Sequence, residues 1–292
     1  MKHETIDYKA IGQRLRAYRI AASLNAEQIA DYIGISRAAV YRLEKGDIVK
    51  IETLEKLAIL LNTSLHCLLG VDSEYYSNAA GFFERMKQLE ESSTDIYSHF
   101  SPFSYLLTSE QYDDFLRIML TETEPGGTNL RAQDINVLTI LSQRKKNLLK
   151  NTPKLFNLIG IQQIEQFLHL GMIGSLNLSP STRMERVLQA RKEIKHLIEV
   201  VGDDSSNFEI SISKKTIPSL TFQIFYQRAR AISVAVSPFR LGEFPNISTG
   251  IATVTNSQEA INTYRIFFNT LWDNSAKKDD AIKILKTTLD RY

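Results

Sequence analysis

The 292-residue chain is 43% apolar and 23% charged, the composition of a soluble globular protein, and it is too long for one small module of about 60 to 70 residues. Its single cysteine, Cys67, excludes an intramolecular disulfide and a cysteine-based zinc site. The net charge of +2 lies wholly at one end, since residues 1–70 carry 10 Lys+Arg against 8 Asp+Glu and the rest carries 25 of each. No apolar run spans a bilayer and no charged-then-apolar leader opens the sequence, so the expectation is a cytoplasmic protein with no membrane contact.

In chain order, Arg14, Leu15, Arg16 and Arg19 fall on a first helix, and Ser23 to Gly46 reads as two short amphipathic helices joined by a Gly-centred turn. Leu24, Ile29, Ala30 and Ile33 form the apolar side of the first of these two. Gly34 ends it in a left-handed conformation, which glycine adopts without a Cβ penalty. Ser36 caps the next helix, whose buried face is Val40 and Leu43, leaving Arg37, Ala38, Tyr41 and Arg42 outward. Cys67, between His66 and Leu68, reads as core filler.

The span from Ile11 to Leu69 resembles the Cro/C1-type, or xenobiotic-response-element-type, helix-turn-helix domain. The resemblance rests on Arg14-Leu15-Arg16, Gln28-Ile29-Ala30, Gly34-Ile35-Ser36 and Leu43-Glu44-Lys45-Gly46. It implies an all-α, five-helix DNA-binding domain over 1–71 whose second motif helix enters the major groove of double-stranded DNA, with an extended connector over 48–51, a fourth helix over 52–61 and a fifth over 64–69. Carried over by residue, Arg37, Ala38 and Arg42 meet base edges with Tyr41 beside them. Ser36, Arg42 and Lys45 are candidates for phosphate contacts, as are the amides of the helix that starts at Asn25. Arg14, Arg16, Arg37, Arg42 and Lys45 are expected near the DNA-facing elements. The family often places a DNA-contacting glutamine where this chain has Ala26. It also often pairs a first-helix arginine with the glutamate ending the recognition helix, which here implies a buried Arg19–Glu44 bridge rather than loose surface charge.

Residues 72–292 are expected to form a C-terminal α+β domain: a helical block, a small sheet and two closing helices. Helical spacing over 75–91 suits either a connecting, dimer-forming helix or a plain core helix. An aromatic-rich stretch over 96–107 precedes a helix from 109 to 120, and Pro125-Gly126-Gly127 is the clearest breaker. Three helices follow over 131–150, 153–169 and 181–201. Strand patterns then occupy 208–212, 220–226, 231–237 and 247–254, and helices over 256–274 and 277–290 close the chain. The loop after the third strand, with Phe239, Arg240 and Phe244, reads either as an effector-pocket rim or as an ordinary surface connection.

The sequence contains no HExxH, Gly-rich phosphate loop, GxSxG elbow or paired histidine-lysine motif, and its five histidines lack metal-ligand spacing. The expectation is therefore a non-enzymatic regulator without metal or cofactor, more often a repressor in the resembled family, binding a pseudo-palindromic operator as a homodimer. Its C-terminal domain would dimerise and sense an effector. The alternative is an antitoxin or host-defence-type regulator whose C-terminal domain binds a protein partner instead of a small molecule.

Overall fold

The computed structural model describes residues 7–47, 50–71, 73–123, 129–148, 153–217 and 220–292. The N-terminal part is helical: α1 (Tyr8–Ala21), α2 (Ala26–Ile33), α3 (Arg37–Lys45), α4 (Ile51–Leu60) and α5 (Leu65–Leu69). Local signals set these boundaries. Asp7, Asn25, Ser36 and Ser64 each accept a bond from a first-turn amide, and Gly34, Gly46 and Gly70 end α2, α3 and α5 with φ of 74°, 106° and 74°. Cys67 is buried, as a core residue. The connector expected over 48–51 falls partly outside the described residues.

The remainder combines helices with an eight-stranded mixed sheet. Its strands are β1 (Glu74–Tyr76), β2 (Asp95–His99), β3 (Lys154–Gly160), β4 (Phe208–Ser213), β5 (Thr221–Gln227), β6 (Arg230–Ser237), β7 (Ala252–Thr255) and β8 (Ala276–Lys277). They are ordered β1-β7-β6-β5-β2-β3-β4-β8. β2, β3 and β4 run parallel, and every other pairing is antiparallel. The helices are α6 (Ala79–Ser92), α7 (Tyr112–Glu122), α8 (Ala132–Leu148), α9 (Ile161–Leu170), α10 (Pro180–Gly202), α11 (Gln258–Asp273) and α12 (Lys278–Arg291).

Side-chain alternation divides the sheet into two cores. Ile96, Leu155, Ile159, Phe225 and Ala235 pack with Met86 of α6, Leu141 of α8 and Ile194 of α10. On the opposite face Leu158, Phe222, Ile224 and Val234 pack with Ile261, Phe268 and Leu271 of α11. The first core runs without a break into the N-terminal helices through Leu15, Ala17 and Tyr18.

Several elements depart from the sequence expectations. The sheet is larger than a small four-stranded one. Residues 153–169 form β3 followed at once by α9, not one helix, because β3 is central, is buried on both faces, and so lacks an alternating pattern. The aromatic stretch over 96–107 contains β2 and a short 3₁₀ turn, and residues 247–251 precede β7 as loop, with Ile247 buried in the core. The Pro125-Gly126-Gly127 breaker lies outside the described residues.

Of the two readings of residues 75–91, the structure has the core helix. α6 is buried from Ala79 through Glu90, between α1, α8 and the sheet, so no face of that stretch is free for a second copy. Gly81 permits the crossing with α1, since a Cβ there would lie 2.4 Å from the Ala21 Cβ. Asn78 caps α6 through Gly81 N and donates to Ala21 O. Tyr18 stacks on Tyr76 with ring centroids 4.9 Å apart, and its hydroxyl accepts from Tyr75 N at 3.1 Å. The Tyr76→Ala substitution should therefore cost about 3–5 kcal/mol of stability by leaving a cavity at this seam. Denaturant unfolding checks this, and an unchanged midpoint would count against a seam that carries the fold.

Candidate nucleic-acid interface

The outward side of α3 is built on an inward ion pair. Arg19 Nε donates to Glu44 Oε1 at 2.5 Å and Nη2 to Oε2 at 3.1 Å, while Nη1 donates to Leu24 O at 3.1 Å. Both side chains are largely buried, so the bidentate pair ties α1 to the last turn of α3 in a low-dielectric setting. Gly12 lets the two helices approach, because a Cβ there would lie 2.4 Å from Leu43 O. Gly46 does the same beside Lys9, where a Cβ would fall 2.8 Å from the Lys9 Cα.

With its inner side fixed by Val40 and Glu44, α3 presents Arg37, Ala38, Tyr41, Arg42 and Lys45 to solvent together. The Arg37 guanidinium lies 5.7 Å from the Tyr41 ring centroid, and Nη2 donates to the Tyr41 hydroxyl at 3.4 Å. Tyr41 thus holds Arg37 along the helix without using its whole donor fork. Arg42 Nε sits 3.6 Å from Asp47 Oδ2, an exposed pair of little worth that a phosphate would readily replace. Ser36 is exposed, but its Oγ accepts from Ala39 N at 3.2 Å, so its first duty is the cap.

α2 contributes less than the resemblance implies. Asn25 and Gln28 form a reciprocal capping box, with Gln28 N to Asn25 Oδ1 at 2.9 Å and Asn25 N to Gln28 Oε1 at 2.8 Å. Two of the four terminal amides are thereby used internally, which leaves those of Ala26 and Glu27 for a phosphate. The Ala26 side chain is buried and makes no outward contact.

Two first-helix arginines are not where the sequence reading places them. Arg14 is buried under α5, with Nε donating to Leu68 O at 2.7 Å and Nη2 to Leu69 O at 2.9 Å. Arg16 turns to α6 and pairs with Glu84 at 3.0 Å. Both serve the seam between the N-terminal helices and the rest of the chain, Arg16 through the buried Glu84 of α6 and Arg14 through the α5 carbonyls beside Glu74 of β1.

Nor do Phe239, Arg240 and Phe244 surround a ligand-sized space. Phe239 is buried between Phe82 and Phe83, at centroid distances of 5.9 and 6.5 Å. Arg240 turns back on its own loop, donating from Nε to Phe244 O at 3.0 Å. The void beside Phe239 and Arg240 measures about 20 Å³, the room of a single water. In the same loop Glu243 is buried and accepts from Gln166 at 2.9 Å; burial raises its carboxyl above the usual carboxylate range.

Among the described residues no group of three or more His, Cys, Asp or Glu side chains is placed to hold a metal ion, and no helix is long and apolar enough to cross a membrane. A family model described as Helix-turn-helix matches residues 15–66. This stretch is therefore a Cro/C1-type helix-turn-helix domain, the domain of DNA-binding transcription regulators. The match leaves the sheet-bearing C-terminal region uncovered, and no curated protein matches the chain.

The Glu44→Ala substitution strands a buried guanidinium and should cost about 3–5 kcal/mol. It should also loosen α3, so that DNA affinity falls although residue 44 touches no DNA. A melting temperature within error of the parent would contradict the buried bridge.

Proposed function

We propose that the chain is a sequence-specific transcriptional regulator, acting as a repressor, that grips a pseudo-palindromic operator as a homodimer. The C-terminal region then supplies dimerisation and the response to an effector. The observation that carries this reading is the joint exposure of Arg37, Ala38, Tyr41 and Arg42 on one side of α3, with the other side fixed by Arg19 and Glu44. A helix anchored in this way enters the major groove without reorganising.

In this reading Arg37 gives a bidentate pair to guanine O6 and N7, and the Ala38 methyl meets a thymine methyl. Arg42 and Lys45 contact phosphates, as do the α2 amides beside Asn25, and these fix register without reading sequence. Two such domains related by a two-fold axis address half-sites about 34–36 Å apart, one helical turn of DNA. The chemistry is binding alone, with no catalytic step.

Selection from random duplex DNA tests the assignment. The parent should enrich one inverted repeat, and Arg37→Ala should lose about 1–3 kcal/mol of discrimination at one base pair in each half-site. Lys45→Ala should instead weaken all sequences alike and reduce the salt slope of log K by about 0.9 for each phosphate the lysine neutralises. Enrichment that survives Arg37→Ala unchanged would remove Arg37 as a reader.

A further inference from the structure

Where α1 and the end of α5 meet β1 and the sheet, a cleft of about 390 Å³ opens between the helix-turn-helix segment and the C-terminal region. Gln13 and Arg14 line one wall, and Glu74, Arg85, Ser233 and Asn256 line the other. Its volume falls in the range of small-molecule sites, and its two walls belong to the two parts of the protein that a regulator must couple.

The charges in this cleft do not balance. Glu74 is already saturated by Arg85, which donates from Nε to Oε2 at 2.8 Å and from Nη2 to Oε1 at 2.9 Å; the Tyr76 hydroxyl adds a third bond to Oε2 at 2.7 Å. Arg14 gets two backbone carbonyls instead of a carboxylate, and its Nη1 stays 4.0 Å from Glu74 Oε1, beyond hydrogen-bonding range. Two buried guanidiniums therefore share one carboxylate, which leaves an excess positive charge in a poorly solvated place. Burial lowers the pKa of the Arg14 guanidinium, with Arg85 adding to the shift and Glu74 opposing it. Gly70 makes room for this guanidinium, since a Cβ there would lie 2.6 Å from its Cζ.

Two further observations extend the site. Ser233 lines the same cleft, and its buried hydroxyl has no hydrogen-bond partner among the described residues. A second hollow of about 470 Å³ shares Ser92, Gln227 and Ile232 with the first and continues to Arg228 and Arg230 at the β5–β6 turn. Among the described residues the two hollows together bring Lys9, Arg14, Arg85, Arg228 and Arg230 against only Asp7 and Glu74.

We infer that this cleft binds a small organic anion bearing a phosphate or carboxylate group. Arg14 is its main charge partner, Ser233 a hydrogen-bond donor to it, and the basic turn at Arg228 and Arg230 its outer boundary. Guanidinium forks suit both kinds of oxyanion, and an occupant would complete the charge that Glu74 leaves unmet. Because Arg14 belongs to α1, occupancy also biases the position of α1 and, through the Arg19–Glu44 bridge, of α3. The coupling to DNA rests on the regulator reading; the binding itself does not.

The test uses the full chain without DNA, with pyrophosphate, adenosine monophosphate and citrate as anionic probes and adenosine as the neutral control. Calorimetry and thermal shift at millimolar probe should show binding by a phosphate or a carboxylate probe and none by adenosine. Arg14→Gln should weaken that binding by about tenfold or more, and so should Arg230→Glu, a change at an exposed position that leaves the buried core intact. No binding by any anionic probe, or binding that both variants preserve, overturns the site. Binding that leaves the affinity for the selected operator unchanged overturns the coupling. Failure of the unliganded protein to select any operator falls on the regulator reading instead.

Discussion

A helix buried on nearly every side, with four of its five charged side chains in the interior, is the constraint around which the protein is arranged. α6 places Glu84, Arg85, Lys87 and Glu90 in the interior. Glu84 pairs with Arg16 of α1, Arg85 with Glu74 of β1 and Glu90 with Arg144 of α8, while Lys87 pairs with Glu84 one turn back and donates to Gln143 of α8. Leaving any of these charges unmatched would cost several kcal/mol, on the order of the whole stability of an ordinary domain. The neighbours of α6 are thus specified by charge as well as by apolar contact, and α1 is one of them.

The consequence for DNA binding follows from the two sides of α1. One side lies on α6 through Ala17 and Ala21 and on β1 through the Tyr18–Tyr76 stack; the other holds α3 through Gly12 and the Arg19–Glu44 bridge. α3 is therefore one helix removed from the centre of the C-terminal region, not tethered to it by a free linker. Asn256, which donates to Gly70 O at 3.1 Å, closes the same junction from the sheet side. A small displacement of α6 or β1 has a short, stiff path to α3, which is what an effector-responsive arrangement requires.

The helix-turn-helix region was legible because its signals are local. The Asn25–Gln28 capping box, the left-handed Gly34 and Gly46, and the Ser36 cap all act within a few residues, and the apolar positions between them keep helical spacing. The outward set on α3 follows from that spacing. The C-terminal region showed β4 to β7 in its alternating patterns but hid the rest of its sheet, because β3 is buried on both faces and β1 and β8 are only three and two residues long. Arg14 and Arg16 read as surface charge because the groups that hold them, the Leu68 and Leu69 carbonyls for Arg14 and Glu84 for Arg16, lie more than 50 residues away, beyond the reach of local spacing rules. The loop at Phe239 left a pocket rim and a surface connection open, because local spacing does not show that its aromatic side chain fills the core.

The central claim is that the DNA-binding helices and the sheet-bearing region move as one body through the α1–α6 seam. Native-state hydrogen exchange measures this most directly, because amides in one cooperative unit open with one free energy. The account predicts that the amides of α1 at Leu15, Ala17 and Tyr18 share the opening free energy of those of α6 at Phe83 and Met86. An α1 that opens at several kcal/mol lower free energy while α6 stays protected would contradict it.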